Sequence, residues 1–151
     1  MNTKQQGNIG LGKAIAHFTS LQYIVSVPLN DSQGYDLIVD NGKKLLRVQV
    51  KTSRHKKKTG SYVIALRQMG GSRRTGRVKM FDKSTADIMY ALCIPTGEAY
   101  LIPYSYIHTK NSLALGADVQ QYLIKETKQC QKKHRTCSCL CCKTEHHRRW
   151  S

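Results

Sequence analysis

The chain has 151 residues, enough for one folded unit with a core and too few for a large second one. Hydrophobic residues make up 40% of it, an ordinary globular share, while 25 Lys and Arg against 9 Asp and Glu leave a formal net charge of +16. Such an excess repels itself unless a polyanion neutralises it, so nucleic acid is the leading partner class and an anionic membrane surface the competitor. The longest apolar runs, Tyr23 to Leu29 and Ile88 to Pro95, are far too short to cross a bilayer. Met1 to Gly10 is polar and lacks the apolar segment of a secretory signal, so no membrane partner and a cytoplasmic location are expected. Five of the six cysteines lie in the last 22 residues, with only Cys93 in the body of the chain, which excludes a disulfide scaffold.

Taken in chain order, Leu11, Ala14, Ile15, Phe18 and Leu21 fall at helical spacing and predict an amphipathic helix over Ile9 to Leu21. Tyr23 to Leu29 is β-rich and predicts a strand, with Pro28 near its end. Asn30 to Gly34 is turn chemistry, and Tyr35 to Asp40 predicts a second strand. Asn41-Gly42 predicts a two-residue hairpin turn with a return strand from Lys43 to Ser53, in which Leu46, Val48 and Val50 alternate with Arg47, Gln49 and Lys51. Arg54 to Gly60 reads as a basic loop and Ser61 to Arg67 as a strand. Met69 to Lys79 carries three glycines and four basic residues and reads as a mobile basic loop.

Ala86 to Pro95 and Glu98 to Pro103, joined at Thr96-Gly97, predict a second hairpin. Ala117 to Lys128 predicts a closing helix, with Asp118 near its start where the helix dipole favours an acid. From Gln129 the apolar periodicity stops and Lys, Arg, His and Cys dominate. The order predicts an α/β (α+β) domain over residues 1–128, a mixed sheet flanked by helices, followed by a disordered basic Cys/His-rich tail over 129–151.

One constellation carries chemistry. Metal-assisted cleavage of a phosphodiester needs a carboxylate to anchor a hard cation, and a nearby Lys can stabilise charge or help activate the nucleophile. Gln49 and Lys51 are two apart on one strand and share a face. Counting back across Asn41-Gly42 pairs Asp40 with Lys43 and Asp36 with Arg47, which puts Asp36 on that same face as a diagonal neighbour of Gln49.

Gly34-Tyr35-Asp36, twelve intervening residues and Gln49-Val50-Lys51 resemble the PD-(D/E)XK nuclease motif. The helix entered through Gly7-Asn8-Ile9-Gly10 and the later strands Asp87 to Ala91 and Ala99 to Pro103 strengthen the likeness, which covers about Lys4 to Lys128. Within that restriction-like superfamily the chain is similar to the small bacterial group I intron-encoded homing endonucleases, in which the last acid of the motif is a Gln, as at Gln49. The resemblance implies a site-specific, metal-dependent DNA endonuclease. It implies Asp36 as main metal ligand, the Gln49 amide oxygen as a second, the Val50 carbonyl as a third, Lys51 beside the scissile phosphate, and Mg2+ as the ion. It also implies a homo-oligomer, dimer or tetramer, acting on double-stranded DNA.

Two positions depart from the family pattern. The acid commonly carried on the first helix falls at Leu11, and no Asp or Glu precedes Asp31; Tyr35 stands in place of the motif's proline. Competing readings follow: a catalytically weakened DNA-binding protein, or a Holliday-junction resolvase on the same core. Asp36 taken alone also reads as a strand-end or turn acid, and Gln49 with Lys51 as a solvated strand face, though the metal-site reading is preferred. Asp31 and Asp40 read as turn residues, His17 as a surface or boundary histidine, and Asp87 as half of a nearby ion pair.

The predicted DNA contacts are Arg54, His55, Lys56, Lys57 and Lys58 in the first basic loop, Arg73, Arg74, Arg77 and Lys79 in the second, and Arg67 on a strand pair of Ser61 to Arg67 with a return after Gly76 that would lie in the groove as a β-ribbon. The crowded Cys-x-Cys-x-Cys-Cys run at Cys137 to Cys142 matches zinc-ligand spacing poorly, so a disordered extension is preferred for the tail.

Overall fold

The computed structural model describes residues 1–30, 33–58, 60–69, 78–79 and 81–125. Helix α1 (Thr3–Ser20) opens on a capping box. The Asn2 side chain accepts from the Gln5 N–H, and the Gln5 side chain accepts from the Asn2 N–H, both at 2.9 Å. The helix therefore starts at Thr3 rather than Ile9, because its first turns are exposed and polar and carry no apolar period. It stops at Leu21, and Gln22, at φ 62°, turns the chain into the sheet.

A five-stranded sheet runs in the order β1 (Ile24–Ser26), β2 (Leu37–Asp40), β3 (Leu45–Ser53), β7 (Ile88–Cys93), β8 (Ala99–Pro103). The β3–β7 pair is parallel and the other three are antiparallel. All six residues of β7 are buried, which explains its continuous apolar sequence: a central strand covered on both faces needs no alternation. The parallel pair is tied at its entry by Arg47 and Asp87, whose side chains meet at 3.0 Å and 3.2 Å while the Arg47 N–H donates to Asp87 at 2.8 Å. Both side chains are more than a third exposed, so the pair fixes register more than it stabilises.

Helix α1 covers one face of the sheet, where Ala14 and Phe18 pack with Leu37, Val39, Val48, Tyr90 and Leu92. Leu11 joins this layer from the helix as a half-buried core residue. His17 sits there too, half-buried against Phe18 and Tyr90, with Nε2 unpartnered among the described residues. The opposite face carries Met89, Ala91, Cys93 and Ile102, packed under Ile64, Leu66, Ile107, Leu115 and Val119. Along β3 the alternation is strict: Val48 and Val50 face the helix layer, while Ser53 on the other face donates its hydroxyl to the Val63 carbonyl at 2.7 Å.

Three expectations change. The strand β4 (Tyr62–Ala65) pairs antiparallel with β9 (Ser112–Leu115), not with a return after Gly76. A separate short pair, β5 (Gln68–Met69) with β6 (Val78–Lys79), occupies the two ends of what read as a basic loop. Of the closing helix expected over 117–128, residues Ala117–Tyr122 form a 3-10 turn and 126–128 lie outside the described residues; only Val119 of the first four is buried, so little holds a longer helix down there. The tail expected over 129–151 lies outside the described residues.

Helix and sheet approach closely at Gly10. A Cβ there would lie 2.4 Å from Thr52 Cγ2 and 3.2 Å from Val50 Cγ1, whereas Gly7 and Gly12 face open space. One turn earlier, Gln6 Nε2 donates to the Thr52 hydroxyl at 2.9 Å. Gly10→Ala is expected to lower unfolding free energy by about 1–3 kcal/mol through overpacking. Gly7→Ala and Gly12→Ala are expected to raise it by about 0.5–1 kcal/mol each, as glycines without a packing reason inside a helix. Urea titration of the three variants checks the contrast.

Candidate active site

The site is set by a turn. Gly42, at φ +79°, allows the chain to reverse after Asp40. The Asp40 carboxylate accepts the Gly42 N–H at 2.8 Å, and the Asn41 carboxamide accepts the N–H groups of Lys43 and Lys44 at 3.0 and 2.9 Å. Asn41 N–H closes onto the Lys44 carbonyl at 3.3 Å. The loop therefore spans Asn41 to Lys44, and the register is Asp40 opposite Leu45 and Leu37 opposite Val48, not Asp40 opposite Lys43. The slip is by two residues, so every side chain keeps its face while Asp36 moves along β3 from Arg47 to Gln49. Asp36 N–H donates to the Val48 carbonyl at 2.8 Å, which carries the ladder one step past β2.

Asp36 and Gln49 are thus direct neighbours. Asp36 Oδ2 accepts from the Gln49 side-chain amide and from the Val50 N–H, the latter at 2.6 Å. The same Gln49 amide nitrogen lies 3.5 Å from the Val50 carbonyl. Gln49 is only 5% exposed, a burial that demands such partners. None of the described hydrogen bonds uses Asp36 Oδ1. Lys51 stands two residues on, half-buried on the same face. Burial pushes the Asp36 carboxyl above its usual range, against the opposing pull of the Val50 N–H, the Lys51 charge and the Gln49 amide. Burial likewise pushes the Lys51 ammonium down, partly offset by Asp36.

The donor set suits a hard cation. A carboxylate oxygen and a backbone carbonyl converge on one spot, held there by the partial positive charge of an amide NH2. A half-turn of that amide exchanges its nitrogen for its oxygen and offers a third oxygen donor. With one formal negative charge, such a set leaves most of an octahedral shell to water and substrate phosphate, as magnesium prefers. Among the described residues no cluster of three His, Cys, Asp or Glu side chains offers a rival metal site. Leu11, in the helix-side core, brings no oxygen to this face.

The residues of the first basic loop follow directly. Arg54, His55, Lys56, Lys57 and Lys58 are all exposed just past the end of β3. The loop is a shaped hairpin: Val63 N–H donates to the His55 carbonyl at 3.0 Å, Lys57 N–H to Ser61 at 2.9 Å, and Gly60 takes φ +91°. Lys56 Nζ lies 5.8 Å from the centre of the Tyr62 ring. Arg67 is exposed after β4, and the backbone of Lys79 lies on β6. Arg73, Arg74 and Arg77 lie outside the described residues. Sequence reasoning missed Gln6, whose bond to Thr52 fixes α1 against the site strand; the Asn2-x-x-Gln5 cap was the signal that the helix reached back so far.

The two raised and lowered groups carry a stability signature in the metal-free protein. A carboxyl whose folded-state pKa lies above its unfolded value penalises the fold fully above the folded pKa, and the penalty fades as pH falls through it. Asp36→Asn is therefore expected to raise the melting temperature at neutral pH, with the gain shrinking on acidification. Lys51→Met is expected to do the same at neutral pH, with its gain shrinking as alkaline pH discharges the lysine. Calorimetry across pH reads both.

Comparison with known proteins bears on the family and the fold. No curated protein matches the chain. Among solved structures, a bacterial homing endonuclease, I-Ssp6803I, superposes with a TM-score of 0.68 at 27% sequence identity, over 88% of this chain and 86% of that one. No helix among the described residues is long and apolar enough to cross a membrane. A family model described as PD-(D/E)XK endonuclease matches residues 1–135, a nuclease assignment that implies a DNA substrate. The chain belongs to the PD-(D/E)XK endonuclease family.

Proposed function

We propose that this chain is a site-specific endonuclease of the intron-homing type, which makes Mg2+-dependent double-strand breaks in DNA. The observation that carries the reading is the convergence of the Asp36 carboxylate, the Gln49 amide and the Val50 carbonyl beside Lys51. Likeness to a bacterial homing endonuclease supports the homing class. Asp36 is the principal metal ligand, with Gln49 and Val50 completing the protein's share. Bound Mg2+ supplies Lewis-acid polarisation of the scissile phosphate and a more acidic water. Lys51 holds its ammonium toward the developing charge on that phosphate, at a site whose burial strengthens the interaction. Arg54 to Lys58, with Arg67, Arg73, Arg74, Arg77 and Lys79, hold the duplex by its phosphates, and some read base edges.

The catalytic domain spans residues 1–128, followed by the basic tail 129–151. Cutting two strands with one site per chain calls for at least a dimer, and a homo-dimer or homo-tetramer working in the cytoplasm fits this need. A second reading, a DNA-binding protein whose nuclease site has weakened, is favoured by one feature: Leu11 packs into the core where the family commonly places an acid.

Incubation with target-bearing or library plasmid DNA, with and without Mg2+, separates the readings. Linear product with mapped ends supports the endonuclease, binding without cleavage supports the weakened form, and preference for four-way junctions supports a resolvase. Asp36→Ala is expected to lower cleavage by roughly a hundredfold or more with duplex affinity retained; an unchanged rate removes Asp36 from the mechanism. Duplex affinity is expected to fall linearly with log salt, with a slope that sums several phosphate contacts. A flat response contradicts the assignment of the basic loops.

A further inference from the structure

The Asp36 end of β2 is held on one side only. The edge strand β1 pairs with Ile38, Val39 and Asp40 and reaches no further, so residues 33–36 extend beyond its cover. On the other side the ladder ends with the Asp36 N–H bond to Val48. A carboxylate that must meet a buried amide within hydrogen-bond distance needs more support than one backbone bond.

That support comes from the turn before β7. Asp82 to Thr85 closes on itself: Ser84 N–H and hydroxyl donate to Asp82 Oδ1 at 2.9 and 2.8 Å, and the Thr85 hydroxyl donates to the Asp82 carbonyl at 2.8 Å. From the β3 side, Arg47 Nη1 donates to the Ser84 carbonyl at 2.8 Å while its other nitrogens grip Asp87. From the β2 side, Gly34 lies directly on Thr85. A Cβ at Gly34 would fall 2.5 Å from Thr85 Cβ, 2.9 Å from its Oγ1 and 3.0 Å from its Cγ2. Gly34 is not among the glycines of positive φ, so space rather than backbone conformation is what requires glycine here. The turn is therefore wedged between the approach to Asp36 and the strand that carries Gln49 and Lys51.

We propose that Gly34 and the Asp82–Thr85 turn form a positioning brace that seats Asp36 against Gln49 and Val50 and so fixes the donor cluster of the endonuclease. The role rests on the reading of Asp36 as the metal-anchoring residue. Neither Gly34 nor Thr85 touches substrate; both act through Asp36. Position 34 must be small because the Thr85 side chain fills the space beside it. The pair behaves as a unit: crowding introduced at position 34 is relieved by removing the side chain at position 85.

The test compares the full chain unchanged, with Gly34→Ala, with Thr85→Gly and with both. One readout is the pair of proton–nitrogen correlation signals from the Val50 N–H and the Gln49 carboxamide, which report Asp36 without metal or DNA. The other is Mg2+-dependent nicking of supercoiled plasmid. Gly34→Ala is expected to move both signals and to slow nicking about 10- to 100-fold, with duplex affinity unchanged. Adding Thr85→Gly to Gly34→Ala is expected to return the signals toward their original positions and to recover most of the lost rate. If Gly34→Ala alone fails to fold, recovery of a cooperative melt in the double variant reads the same contact. The brace is overturned if Gly34→Ala leaves both signals in place, or if the double variant is no closer to the unchanged chain than Gly34→Ala alone. Absence of nicking in every form counts against the endonuclease reading only, because the coupling of positions 34 and 85 in the signals still decides the brace.

Discussion

The site depends on the register of one hairpin. Because Asn41 to Lys44 form a four-residue loop, Asp36 falls opposite Gln49, and a half-buried carboxylate meets a buried amide and a backbone N–H. A slip by one residue would turn Asp36 into the helix layer; the slip by two that a tighter turn implies would leave it opposite Arg47. The side chains of Asp40 and Asn41, which bond the turn's own N–H groups, are what select the longer loop. Turn chemistry at an exposed tip thereby decides geometry at a half-buried site several residues away.

Two layers make that geometry rigid. Below the sheet, α1 lies on β3 so closely that Gly10 touches Thr52, and Gln6 adds a hydrogen bond to the same residue. Above it, Ser53 ties β3 to β4, and the parallel partner β7 is buried along its whole length. The polar odd positions of β3 are consequently all assigned: Arg47 to Asp87, Gln49 to Asp36, Lys51 beside them, Ser53 to Val63. Burial strains the charges of Asp36 and Lys51 in opposite directions, and their mutual attraction offsets part of each shift.

Much of this was legible in the sequence, for physical reasons. The alternation in Leu46 to Lys51 and the apolar run of Ile88 to Cys93 reflect a half-polar strand beside a doubly covered one, and both strands lie where the pattern put them. The face shared by Asp36, Gln49 and Lys51 survived an error in register because β side chains repeat every two residues. The pairing of β4 with β9 was not legible, since residues about fifty positions apart leave no local trace of their contact. Nor was the start of α1, where an exposed polar turn shows a cap but no period. The contact of Gly34 with Thr85 was invisible for the same reason as β4 with β9: a glycine's neighbours across a fold are not written beside it.

The most direct measurement is a titration of the metal-free protein with Mn2+, a paramagnetic stand-in for Mg2+, followed by selective broadening of nuclear resonances. The expected result is that the Asp36, Gln49 and Val50 signals broaden first and together, that Lys51 follows, and that Asp36→Ala removes the effect at all of them. Broadening centred elsewhere, or spread evenly over the chain, would show that these oxygens do not form a cation site.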